Sequence, residues 1–116
     1  RKALGGCGNI SLLPPLDYLT FAHLMKRAHV ILTDSGGIQE EAPGLGVPVL
    51  VLREVTERPE GIAAGTAALV GAETEKIVAA TTRLLDDEDA RLEMVQAVNP
   101  FGDGHAARKI VEIMLR

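Results

Sequence analysis

Cysteine is nearly absent from this chain. Cys7 is the only one, so no internal disulfide can form, and a reducing, cytoplasmic compartment is the expectation. Positive charge is also scarce: 12 Lys and Arg stand against 16 Asp and Glu, a net charge of -4. That balance offers no footprint for a nucleic-acid backbone or an anionic membrane surface, so neither is expected as a partner. The longest apolar runs, such as Pro48 to Leu52, fall far short of the roughly 20 residues that cross a bilayer. Neither a basic stretch leading into an apolar one nor a CxxC pair is present. His23 and His29 lie six apart without a cysteine nearby, which is not ligand spacing, and His105 is set aside on the same ground. No metal and no cofactor is expected.

What is there is a globular composition, 47% apolar and 24% charged over 116 residues, enough for one domain with its own core. The chain begins at Arg1 in a Gly-rich stretch (Gly5, Gly6, Gly8) and reads as part of a longer protein.

Apolar positions Phe21, Leu24, Met25 and Ala28 recur at helical spacing after Asp17, which can cap, and predict a helix from Asp17 to His29. Val30-Ile31-Leu32 stops at Thr33-Asp34-Ser35-Gly36-Gly37, and a second apolar run follows at Pro48 to Leu52. Continuous apolarity bounded by turn chemistry is the mark of parallel strands covered on both faces. With a short helix from Ile38 to Leu45 between them, which Pro43 shortens or kinks, they form a βαβ unit. Ile10 to Leu13 and Ala68 to Val70 are further strand candidates, one on either side. Thr74 to Leu85 carries Ile77, Val78, Thr81, Leu84 and Leu85 on one helical face. The acidic run Asp86 to Asp89 opens a helix to Val98, ended by Asn99-Pro100, and Ala107, Ile110, Val111 and Met114 mark a terminal amphipathic helix. The fold class is α/β.

The turn Asp34-Ser35-Gly36-Gly37 stands between a strand and a helix. There, free helix N–H groups favour an anion, and two glycines let a phosphate approach the backbone. An ordinary turn with Ser35 as N-cap satisfies the same residues. Glu40 and Glu41 follow close enough for one carboxylate to hold a ribose diol, or both are solvated helix charges. Thr56 to Gly61 follows the second strand at the same kind of edge. Arg53 and Arg58 there suit a diphosphate, or the segment is a solvated charged loop.

Taken in order, Asp34 to Pro43, Leu45 to Val51, Thr56-Glu57-Arg58-Pro59-Glu60-Gly61, Ala64-Gly65-Thr66, Leu69-Val70-Gly71 and Asn99-Pro100-Phe101-Gly102-Asp103-Gly104 closely resemble the non-hydrolysing UDP-N-acetylglucosamine 2-epimerases. The resemblance implies a parallel Rossmann-like sheet flanked by helices, most of the second domain of a two-domain GT-B type enzyme. Residues 1–116 would be its C-terminal UDP-binding portion. That family interconverts UDP-N-acetylglucosamine and UDP-N-acetylmannosamine by eliminating UDP and adding it back from the other face. By the same resemblance Ser35, Gly36 and Gly37 contact the diphosphate, Arg58 lies beside it, Glu41 takes the ribose hydroxyls and Phe21 meets the uracil, although Phe21 also fits a core position. At Leu16 the chain departs from relatives with a polar residue that can contact the base. The family's acid/base carboxylates and active-site His lie in parts not present here, so no residue of this chain is assigned a catalytic role. The implied partners are UDP-N-acetylglucosamine or UDP, the first domain of the same protein and, in the complete enzyme, a second copy. A UDP-sugar-binding domain of a GT-B glycosyltransferase and a non-catalytic nucleotide-binding module are the competing readings.

Overall fold

The computed structural model describes residues 5–97, 99–100 and 106–115. Its elements run α1 (Tyr18–Arg27), β1 (Ile31–Thr33), α2 (Gly36–Glu41), a 3-10 turn (Ala42–Leu45), β2 (Val49–Val51), α3 (Pro59–Ala64), β3 (Ala67–Leu69), α4 (Thr74–Asp86), α5 (Glu88–Gln96) and α6 (Ala106–Met114). The strands form one parallel sheet in the order β1-β2-β3. Val49 pairs with Ile31 on one side and Ala67 on the other, and Val51 with Thr33 and Leu69.

Alternation along the central strand creates two cores. Val49 and Val51 point to one face, where they meet Ala42 and Ala67 with Ile31, Ile38 and Ile62 packed around them, beneath α2, the 3-10 turn and α3. Leu50 points to the other, against Leu84 and Ala90 with Ala80 and Met94, beneath α4 and α5. The sheet is thus covered on both sides, which is why its central strand reads as an unbroken apolar run. Leu50, 2% exposed, is worth about 1.5–3 kcal/mol from its burial alone.

Local chemistry sets the element ends. Asp17 caps α1 by accepting from the Thr20 amide at 2.8 Å. That hydrogen bond, seconded by the Thr20 side chain, holds the Asp17 carboxyl below its usual pKa. Pro43 converts the predicted helix Ile38 to Leu45 into two turns of different pitch. α2 ends at Glu41 and a 3-10 turn takes over, with Val47 N–H donating to Ala42 O. Asp87 caps α5, accepting from Ala90 N at 3.1 Å.

Several expectations need correction. Ile10 to Leu13 is not a strand: Ile10, Leu12 and Leu13 are exposed at 40%, 41% and 58%, and Pro14-Pro15, lacking N–H donors, directly follow. Among the described residues the sheet therefore gains a strand on the β3 side alone, and Leu32 of β1 is 38% exposed. On α4 the covered residues are Ile77, Ala80, Thr81 and Leu84, whereas Val78 and Leu85 face solvent. The spacing i, i+3, i+4, i+7 from Ile77 excludes them. On α1, Leu24 is likewise exposed beside the buried Met25. α3 takes up the end of the Thr56 to Gly61 segment, for which a solvated charged loop is one of the two readings; Pro59 at its first position and Gly65 just past its end, at φ 89°, are the usual start and stop of a short helix. Val98, the turn 101–104 and His105 lie outside the described residues. Among the described residues no helix is long and apolar enough to cross a membrane.

Candidate functional site

β1 delivers its chain to the α2 N-terminus through Asp34 and Ser35, and the backbone there is fixed by side-chain caps. Thr33 Oγ1 accepts the Ser35 amide at 3.0 Å, and Ser35 Oγ accepts the Ile38 amide at 3.5 Å. The N-cap role considered for Ser35 is therefore occupied, while its hydroxyl proton stays available to donate. The first N–H groups of a helix have no carbonyl within it. With Ser35 and Ile38 amides satisfied by caps, those of Gly36 and Gly37 have no hydrogen-bond partner among the described residues.

Arg58 comes to the same place from the other loop. A methyl group on Gly36 would stand 3.3 Å from Arg58 Cζ and Nη2, so the guanidinium lies directly on the Gly36 backbone. Around Gly37 there is room, with Ser35 Oγ the nearest atom at 3.8 Å. Glu40 accepts from Arg58 Nε, an ion pair whose side chains are 35% and 45% exposed. Glu40 is thus not a free helix charge. Nη2 makes no hydrogen bond among the described residues and lies beside Gly36.

Ser35, Gly36, Gly37 and Arg58 therefore meet at one point. Glu41 is the last residue of α2, at the opposite end of the helix from the glycine turn, exposed and without an ion pair among the described residues. Phe21 is half-buried on α1, which packs against the 3-10 turn that follows Glu41. Arg53, the other cation considered, turns to Glu57 instead, with Nη2 at 3.2 Å from Oε1. His23 and His29 are exposed, and no group of three His, Cys, Asp or Glu among the described residues is arranged for a metal ion.

Two participants were missed. Gln39, 1% exposed, accepts from the Thr56 hydroxyl at 2.7 Å, and Thr56 Oγ1 accepts the Arg58 amide at 3.0 Å. The Thr56-to-Arg58 link spans two residues, a pattern Thr adopts in loops and the one signal that was available.

A parallel α/β sheet whose adjacent strands open at one edge onto a glycine turn and a guanidinium defines a Rossmann-like domain. The sequence matches the family described as UDP-N-acetylglucosamine 2-epimerase over residues 1–115, and the chain belongs to that family. It is 56% identical over 114 residues to the UDP-N-acetylglucosamine 2-epimerase of Yersinia pestis, covering 98% of this chain and 30% of that enzyme. It is similar to the crystal structure of UDP-GlcNAc 2-epimerase from Neisseria meningitidis bound to UDP-GlcNAc, with TM-score 0.93 and 50% identity over 98% of this chain and 31% of the other. The S. aureus MnaA structure determined with UDP gives TM-score 0.90 and 49% identity over 97% of this chain and 31% of that one. The chain thus spans 30% to 31% of the length of these relatives.

Proposed function

We propose that residues 1–116 are the C-terminal UDP-holding portion of a UDP-N-acetylglucosamine 2-epimerase, which interconverts UDP-N-acetylglucosamine and UDP-N-acetylmannosamine in the cytoplasm. The observation that carries the reading is the Arg58 guanidinium resting on Gly36, in a chain whose relatives in N. meningitidis and S. aureus are described with UDP-GlcNAc and UDP. Ser35, Gly36 and Gly37 contact the diphosphate, Arg58 neutralises it, Glu41 accepts from the ribose hydroxyls and Phe21 borders the uracil. In an elimination of UDP, negative charge builds on the diphosphate as the bond from C1 to oxygen breaks. Two amides and a guanidinium already in place stabilise that charge without reorganising. The proton transfer at C2 belongs to the rest of the enzyme, and a homodimer of the complete protein is part of the same family-based reading.

Proton NMR of the full-length protein with UDP-N-acetylglucosamine tests this, without added metal or nicotinamide. UDP-N-acetylmannosamine should accumulate. Release of free N-acetylmannosamine and UDP alone would instead define a hydrolysing enzyme, and turnover that requires a sugar acceptor would define a glycosyltransferase.

A further inference from the structure

Gln39 is the most deeply buried polar side chain among the described residues, and none of the contacts proposed above uses it. Its Oε1 receives the Thr56 hydroxyl across 17 residues of sequence, and the Thr56 oxygen receives the Arg58 amide. Its Nε2 is equally buried and has no hydrogen-bond partner among the described residues. An unpaired buried amide is destabilising, and Met would fill similar space without that penalty. What Gln39 provides and Met cannot is the acceptor for Thr56.

The segment that acceptor restrains needs restraint. Residues 52–58 contain no regular structure, and the ion pair within them, Arg53 with Glu57, is exposed, a class of contact that contributes little. A guanidinium carried on a free loop would lose that loop's conformational freedom whenever an anion bound, and affinity would fall by that amount.

We propose that Gln39 and Thr56 are positioning residues: the buried amide holds the Thr56 hydroxyl, Thr56 holds the Arg58 backbone, and the guanidinium is thereby set over Gly36 before a nucleoside diphosphate arrives. Glu40 holds the Nε side of the same group and leaves Nη2 for the ligand. The inference rests on the reading of Arg58 as a diphosphate contact and deepens it.

The test uses a full-length protein carrying this chain, titrated calorimetrically with UDP and, separately, with uridine. Thr56→Val removes the hydroxyl and keeps the shape, Thr56→Ser keeps the hydroxyl, and Gln39→Met removes the acceptor. Thr56→Val and Gln39→Met should each weaken UDP by on the order of tenfold, the weight of one hydrogen bond. Uridine affinity should not change, and Thr56→Ser should restore UDP binding. In an Arg58→Ala background, Thr56→Val should add no further loss, because the group it positions is gone. Equal weakening of uridine, or an undiminished loss in the Arg58→Ala background, would show a packing defect and overturn the proposal. UDP affinity unchanged in Thr56→Val while Arg58→Ala weakens it removes the positioning role alone. UDP affinity unchanged in Arg58→Ala removes the diphosphate contact and the inference with it.

Discussion

Replacing Gly36 by alanine should separate stability from binding. Gly36 has a negative φ, since the described glycines with positive φ are Gly46, Gly65 and Gly71, so alanine fits its backbone conformation. Loss of glycine's freedom in the unfolded chain favours the variant by about 0.4–1 kcal/mol. Against this, the new methyl meets Arg58 Cζ and Nη2 at 3.3 Å, a contact tight by a few tenths of an ångström. The obstacle is the end of a flexible, 35% exposed side chain, which can swing away, so the fold should lose nothing and gain up to about 1 kcal/mol. Binding goes the other way. The methyl keeps a phosphate from the Gly36 amide and displaces the guanidinium, and losing one hydrogen bond to a charged group costs about 1.5–3 kcal/mol, roughly ten- to a hundred-fold in affinity. Urea denaturation and UDP calorimetry on the full-length protein measure the two quantities. A stable Gly36→Ala protein that binds UDP as tightly as wild type would refute the close approach at Gly36. Loss of both properties together would make Gly36 a packing residue.

Two further outcomes follow from the charges. Glu41→Gln keeps an acceptor and loses the charge, so UDP affinity should fall roughly ten- to a hundred-fold, while Glu40→Gln, altering a half-exposed pair, should change it by less than about fivefold. Calorimetry giving the opposite ranking would exchange the two residues' roles. Because the Asp17 carboxyl is held below its usual pKa when folded, its cap contributes in full above the unfolded value and is lost as pH falls through the lowered one. Wild type should therefore lose stability relative to Asp17→Asn in thermal melts taken from about pH 5 down to pH 2, and parallel curves would remove the cap from the account.

Much of the layout was legible in the sequence because it is locally encoded. Asp17 caps the helix it was expected to cap, and the two apolar runs became adjacent parallel strands. What failed needed tertiary information. Ile10 to Leu13 has strand composition, yet a strand exists only where a partner's N–H and C=O groups stand beside it, and composition does not supply a partner. Val78 and Leu85 are apolar and close to the covered stripe of α4, but only packing decides how wide that stripe is. Residue chemistry alone does not choose between Glu40 and Glu41; the family resemblance picks Glu41, and the ion pair of Glu40 with Arg58 appears only in the structure. About 100° of helix rotation separates them, and one reaches Arg58 while the other does not.

The convergence of Ser35 to Gly37 with Arg58 has a topological cause that the order of residues conceals. In a parallel sheet all strands end at the same edge, so the loops leaving neighbouring strands emerge side by side however many residues lie between them. Thr33, the last residue of β1, is paired with Val51, the last of β2, and the next bond of that ladder runs from Leu52 N–H to Thr33 O at 2.9 Å. The chain leaving Thr33 becomes the glycine turn within two residues, and the chain leaving Val51 becomes the Arg58 loop. Contact between Glu40 and Arg58, 18 residues apart, and between Gln39 and Thr56, 17 apart, then closes the two loops against each other. The register of β1 on β2 is therefore part of the site, since a slip of one residue would move the Arg58 loop by about 3.3 Å along the edge and carry the guanidinium off Gly36.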